Sequence, residues 1–170
     1  MIGGVNVPVE VHLHLLRHAH AGDPMKWHGS DAVRPLSEKG RRQAERLGRL
    51  LAGAGFAPDA IVTSPLTRAM ETAQLVAEAL GLPVRADDAL AGPLDVADLE
   101  RLLRTWGDPA SPLIVGHDPD FSQLAADLTG LAELPVRKGT LVRIDLRRPL
   151  EPASGLLRWF VPPDVLGGAD

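Results

Sequence analysis

Pro112-Leu113-Ile114-Val115-Gly116-His117-Asp118-Pro119-Asp120-Phe121 is the stretch that decides the fold. Its continuous apolar run, with no polar alternation, suits a strand of a parallel sheet covered on both faces. Gly116 ends the run. Asp118 followed by Pro119 reads as an N-cap and a first-turn proline, opening a helix through Phe121, Leu124, Ala125 and Leu128 to Gly130. A buried strand followed at once by an amphipathic helix is the repeating signature of an α/β protein.

The same alternation extends outward. A first strand is expected over residues 9–16, where Val11, Leu13 and Leu15 alternate with His12 and His14. A polar loop over 17–36 follows, long for a compact domain and therefore a candidate for function. Ser37 is placed as an N-cap and Glu38 suits the helix dipole; Ala44, Leu47, Leu51 and Ala54 then repeat at helical spacing until Gly53 and Gly55. A strand over 60–63 meets Ser64-Pro65 and a helix carrying Leu66, Ala69, Ala73, Val76 and Leu80 to Gly81. After a short strand near 83–86, Asp95 opens a helix that buries Val96, Leu99, Leu102, Leu103 and Trp106. Strands over 141–146 and 156–161 flank a Pro- and Gly-containing turn and should pair as a hairpin. The expected architecture is a three-layer α/β/α sandwich with a mostly parallel central sheet and a C-terminal antiparallel hairpin, one domain over residues 1–170.

A chain of 170 residues can bury roughly two thirds of its unfolded surface in a single core. With 45% hydrophobic and 24% charged residues it lies far from compositions that stay disordered. It has no cysteine, which excludes disulfide frameworks, thiolate zinc sites, iron–sulfur clusters and cysteine nucleophiles. With 18 Lys+Arg against 22 Asp+Glu the formal charge is −4, which argues against binding nucleic acid through the whole surface. Residues 1–10 lack the basic stretch and apolar core of a targeting peptide, and no stretch approaches the roughly 18 apolar residues of a membrane span. A cytoplasmic protein with neither nucleic-acid nor membrane partners is expected.

Five of the six histidines, His12, His14, His18, His20 and His28, fall within the first 28 residues. One explanation is a metal site, since His12 and His14 share a strand face and His18 and His20 repeat that spacing. Hydrolases with paired histidines at a strand end need a barrel of about 250 residues and further ligands, and only His117 lies elsewhere here. The other explanation takes the histidines singly and puts His18 in a phosphate site. Arg17-His18 ends the first strand, Arg68 follows Ser64-Pro65 at a helix start, and Gly116-His117 ends the fourth strand. All are C-terminal strand ends, where open parallel sheets bind ligands. A helix N-terminus near residues 65–68 suits an anion, two guanidinium forks can clamp phosphate oxygens, and a neutral imidazole is a nucleophile. No metal or cofactor is required. Taken alone, Arg17 reads equally as an ion-pair partner and His117 as a satisfied buried histidine; together they favour the phosphate site. His12 and His14 read as half-buried sheet residues and His28 as a loop residue. Trp106, Trp159 and Phe160 read as core or edge packing, and the Arg137-Lys138 and Arg147-Arg148 pairs as solvated faces. Arg34 is either an anchor of the long loop or a rim cation touching substrate.

Three segments carry a family resemblance. Leu16-Arg17-His18-Ala19-His20-Ala21 resembles the signature of the histidine phosphatase superfamily. Ser64-Pro65-Leu66-Thr67-Arg68-Ala69-Met70-Glu71-Thr72-Ala73 is similar to its second motif, and Val115-Gly116-His117-Asp118-Pro119 to its third. The short length, with Ser30-Asp31-Ala32-Val33-Arg34-Pro35-Leu36-Ser37 through Gly40, most resembles the SixA-type phosphohistidine phosphatases. The likeness runs from the first strand to about Lys138-Gly139.

The resemblance implies that His18 is the phosphorylated nucleophile, that Arg17 and Arg68 hold the phosphate, and that His117 is the second catalytic histidine; Ala19 and Arg34 are further candidates for substrate binding. Ala19 stands where the family usually has glycine. Residues 87–95 also lack the glutamate that larger phosphoglycerate-mutase-like members use as proton donor, which leaves the acid open among His20, Asp23 and Asp118. An alkoxide leaving group needs a positioned acid, whereas the imidazole of a phosphohistidine leaves as a neutral ring once its other nitrogen is protonated. The implied partner is a phosphorylated protein bearing phosphohistidine. The alternatives are a phosphatase of small phosphorylated substrates and a phosphate-binding module without turnover. The charges of Arg17, Arg68 and His117 should depress the His18 pKa, with its second ring nitrogen donating to a backbone carbonyl.

Overall fold

Strands that are apolar on both sides must lie between two helical layers, and the register of the sheet shows how they do so. A computed structural model of the chain describes residues 9–167; most of the stretch read above for a targeting signal lies outside them. The strands are β1 (Val9–Arg17), β2 (Ala60–Thr63), β3 (Arg85–Ala86), β4 (Pro112–Gly116), β5 (Leu141–Arg148) and β6 (Leu156–Val161). They form one sheet in the order β3-β2-β4-β1-β5-β6. The first four are mutually parallel, β5 runs antiparallel to β1, and β6 pairs back on β5 as the expected hairpin.

Alternate residues of these strands feed two cores. Val11, Leu13, Leu15, Val62 and Ile114 pack with Leu99 and Leu103 of α3 (Val96–Thr105) and Phe121, Leu124 and Leu128 of α4 (Asp120–Thr129). Leu16, Ile61, Leu113 and Val115 pack with Leu47 and Leu51 of α1 (Glu38–Gly53) and Ala69, Ala73 and Val76 of α2 (Thr67–Leu80). The result is the expected three-layer arrangement. No helix among the described residues is long and apolar enough to cross a membrane.

Local signals held at most boundaries. The Ser37 side chain accepts from the Gly40 N–H at 3.1 Å, as an N-cap should. Gly40 is required for a different reason: a Cβ there would lie 1.9 Å from the His20 carbonyl oxygen, because the first turn of α1 sits directly on the preceding loop.

Four expectations need correction. Helix α4 starts at Asp120 with Pro119 as N-cap residue, one position later than expected. The Asp118 carboxylate caps it from outside, accepting from the Ser122 N–H at 3.2 Å and its hydroxyl at 2.8 Å. Ala54 lies beyond the end of α1 and is exposed. Arg148, expected on a solvated face, folds against Glu100, with Nη2 2.8 Å from Oε1. His14, expected half-buried, is 1% exposed, because Phe56 and Trp159 from distant segments cover its ring.

Candidate active site

Pairing of β1 with β4 places Arg17 opposite Gly116, and pairing of β2 with β4 places Thr63 opposite Val115. The residues that follow, His18, Ser64 and His117, therefore leave the same edge of the sheet together. His18 is 5% exposed, and its Nδ1 lies 2.8 Å from the Ala19 carbonyl oxygen. A carbonyl only accepts, so Nδ1 carries the proton and Nε2 keeps its lone pair. The His117 ring stands 5.2 Å away, centroid to centroid. Its Nε2 lies 2.8 Å from the hydroxyl of the fully buried Ser64, and that same oxygen accepts from the Leu66 N–H at 3.3 Å.

Arg17 reaches in from the end of β1, donating through Nη1 to the Val136 carbonyl at 2.9 Å and to Asp118 at 3.2 Å. Arg68 comes from the first turn of α2. Its Nη1 donates to the Asp31 carbonyl oxygen at 2.8 Å and its Nη2 lies 3.1 Å from the Asp31 carboxylate. These bonds fix both guanidinium planes and leave both Nε atoms buried without a partner. Among the described residues five buried side-chain polar atoms lack a partner, and three of them are Arg17 Nε, Arg68 Nε and His117 Nδ1. An orphaned buried donor costs on the order of 1–3 kcal/mol, so three of them on neighbouring side chains mark a place for an anion that would satisfy them.

Burial, above all, holds His18 at a pKa of about 3, with the charges of His117, Arg68 and Arg17 adding to it and the bond to Ala19 opposing it. The expected direction is right, but its main cause is desolvation rather than the neighbouring cations. His117 is lowered to about 4, first by burial and then by Arg68, and His14 to about 4, again first by burial. Unfolded histidines protonate near pH 6.5 whereas these three stay neutral far below it, so between those values the unfolded state binds more protons. Stability should therefore fall as pH drops below about 6.5, on the order of 1.4 kcal/mol per pH unit for each fully contributing histidine. Urea unfolding at pH 7.5 and pH 5 tests this, and equal midpoints would contradict it.

The family model described as the histidine phosphatase superfamily (branch 1) matches residues 13–102, more than half of the chain. The chain belongs to the histidine phosphatase superfamily. An uncharacterized protein of Picosynechococcus sp. is 32% identical over 116 residues, covering 66% of this chain and 70% of that one. Among solved structures, the protein histidine phosphatase SixA complexed with tungstate is 23% identical with a TM-score of 0.78, covering 92% of this chain and all of that one. The alpha-ribazole phosphatase from Shigella flexneri is 22% identical with a TM-score of 0.68, covering 90% and 97%. At these identities the two structures speak for the fold alone.

In this histidine phosphatase fold the other residues singled out by sequence fall as follows. The Ala19 N–H donates to Thr72 Oγ1 at 3.1 Å and is not free for a ligand, so what Ala19 offers the site is its carbonyl, on His18. Arg34 is 7% exposed and acts as an anchor of the long loop, donating to the Ala21 carbonyl at 2.6 Å and to Asp31 at 2.8 Å; its charge still reaches His117. The three open acid candidates are all held by structural bonds. Asp23 caps a 3-10 turn at Pro24–Lys26, Asp118 holds Arg17 and the start of α4, and His20 Nδ1 lies 2.7 Å from the Ser37 hydroxyl. The clustered histidines separate: the exposed-side His12 meets Asp145 at 2.9 Å while His14 turns its Nδ1 to the Pro112 carbonyl at 3.1 Å. No group of three or more His, Cys, Asp or Glu among the described residues is placed to hold a metal ion. Sequence reasoning missed Ser64 and Asp31 as site members, although both stand inside the quoted motifs. It also gave Lys138 no place there, yet the charges of Arg17, Arg34 and Arg68 depress its pKa, after burial.

Proposed function

We propose that this chain is a metal-independent phosphatase that transfers the phosphoryl group to His18 Nε2 and then to water, and that its substrate is protein phosphohistidine. The observation that carries the reading is the bond from His18 Nδ1 to the Ala19 carbonyl, which leaves Nε2 unprotonated beside three unpaired donors. In the first step Nε2 attacks phosphorus, the bond to the leaving nitrogen breaks with its electron pair going to that nitrogen, and the substrate imidazole, already protonated at its other nitrogen, departs as a neutral ring. The phosphorylated His18 ring is cationic, and its Nδ1–H on Ala19 stabilises that charge. In the second step water attacks phosphorus, the bond to Nε2 breaks, inorganic phosphate leaves and a proton passes to solvent. Arg17, Arg68 and His117 Nδ1 spread the negative charge of the transferring group throughout.

The Asp31 carboxylate beside Arg68 supports this substrate class. The Asp31 carboxyl is held ionised by its hydrogen bond from Arg34, aided by Arg68, and its side chain is 58% exposed. An ionised carboxylate can accept an imidazole N–H but cannot protonate an alkoxide, which favours a phosphoramidate over a phosphomonoester. The likeness to SixA agrees with this, while the likeness to the alpha-ribazole phosphatase keeps a small phosphorylated molecule as the second reading. Turnover of a phosphohistidine-carrying phosphotransfer protein should exceed that of aryl and sugar phosphates by at least about tenfold in kcat/KM. Faster turnover of a phosphometabolite would overturn the substrate assignment while leaving the phosphatase reading intact.

Ser64 is a positioning residue in this account. Among the described residues the buried Ser64 hydroxyl meets only the Leu66 N–H, which donates, and His117 Nε2, so its own proton goes to Nε2, which fixes the tautomer with a proton on Nδ1. Ser64→Ala should release that tautomer and lower kcat about 10–100-fold with the fold retained. NMR of labelled histidine should show the His117 proton redistributing; an unchanged tautomer with unchanged kcat would remove Ser64 from the mechanism.

A further inference from the structure

A cavity of about 480 Å³ lies between the C-terminal part of α1 and the outer strands β5 and β6. Ala57 and Ser111 on its border precede β2 and β4, so it sits toward the edge of the sheet opposite the candidate active site. Its walls are apolar, with Leu47, Leu50, Leu51, Phe56 and Trp159 among them, and the buried His14 also lines it. This volume and an apolar lining with few polar groups are those of a small-molecule site.

His14 gives the cavity its chemistry. The Pro112 carbonyl can only accept, so His14 Nδ1 carries the proton and Nε2 is a bare acceptor. Nε2 is buried and has no donor partner among the described residues. Burial keeps this ring neutral at physiological pH. Arg143 closes one side by lying over Trp159 at 4.9 Å, while its Nε and Nη2 are directed to Asp145 and His12. The wall it contributes is thus a cation already paired with a carboxylate. A cationic ligand would meet Arg143, and a pure hydrocarbon would leave Nε2 unsatisfied at a cost. The ligand must bring one donor and otherwise match apolar walls.

We propose that this cavity binds a neutral, largely apolar small molecule whose single hydroxyl or N–H group donates to His14 Nε2. The proposal is independent of the reaction at His18.

The probes are 2-naphthol, which can donate, and 2-methoxynaphthalene, which has nearly the same shape and cannot. Titrations of the parent protein are followed at the Trp159 indole N–H and His14 Nε2 resonances. Saturable one-to-one binding of 2-naphthol is expected, with a shift at His14 Nε2 and about tenfold weaker binding of the methyl ether. His14→Phe keeps the ring volume and should make the two probes bind alike. Leu50, 49% exposed at the border of the cavity, is the position for a second variant. Leu50→Glu should weaken 2-naphthol at least about tenfold. Absence of saturable binding, equal affinity for both probes in the parent protein, an unmoved His14 Nε2, or binding indifferent to Leu50→Glu would each overturn the proposal. Should His14→Phe fail to fold, the probe comparison in the parent protein and Leu50→Glu decide it.

Discussion

His18→Ala is expected to fold and to lose turnover by at least about 10⁴-fold, the scale on which removal of a covalent nucleophile acts. No other described side chain takes over. His117 has its Nε2 on Ser64 and its free nitrogen protonated, and His20 is bonded to Ser37. The fold should survive because the His18 ring makes one polar bond among the described residues, to its own neighbour Ala19, while the backbone N–H of residue 18 keeps its bond to the Gly116 carbonyl at 3.0 Å. A secondary sign follows from the pKa of about 3. Without the buried ring, one proton-accepting group is lost from the unfolded state's advantage, so the variant should be less acid-sensitive between pH 6.5 and 4 than the parent. Assay with an aryl phosphate and urea unfolding at two pH values measure both effects. Residual turnover within tenfold of the parent would contradict the assignment of His18.

Arg68→Ala carries the second largest effect, a fall in kcat/KM of about 10²–10³-fold, the loss associated with one preorganised donor on the charge of the transition state. Arg68 also holds the long loop, through the Asp31 carbonyl and carboxylate, so its removal should loosen residues 30–36 as well. Arg68→Lys separates the two roles. A lysine retains the charge but cannot span both Asp31 oxygens and still present a buried Nε, so most of the loss should remain. Full rescue by lysine would mean that Arg68 acts only as a point charge.

The order of motifs was legible because each sits where an apolar run stops. Val115-Gly116 and Leu16-Arg17 end strands by composition alone, and Ser37 announces α1 through its side chain. What was not legible depends on contacts between distant segments. Nothing local in residues 141–148 says that β5 joins β1 antiparallel, which is what brings Gly139 against Arg17 and His18, its N–H donating to their carbonyls at 3.1 and 3.0 Å. Ser64 reads as a strand end until β2 and β4 pair and bring it to His117, 53 positions away. Asp31 lies in a loop without periodicity, so its reach of 37 positions to Arg68 leaves no pattern. His14 was placed on the correct strand but misjudged in exposure, because Phe56 and Trp159 cover it from across the sheet. The His18 pKa was given the right direction from charge, while burial, its principal cause, becomes visible only once the layers close over the strand ends.

The account rests on a covalent intermediate at one nitrogen of one residue. Rapid quench of the parent protein with ³²P-labelled substrate, followed by proteolysis and mass spectrometry, tests that most directly. The predicted result is an acid-labile, base-stable phosphate on Nε2 of His18, absent in His18→Ala and formed at a rate no slower than turnover. A label on another residue or on Nδ1, or turnover with no phosphoenzyme on any timescale up to kcat, would contradict it.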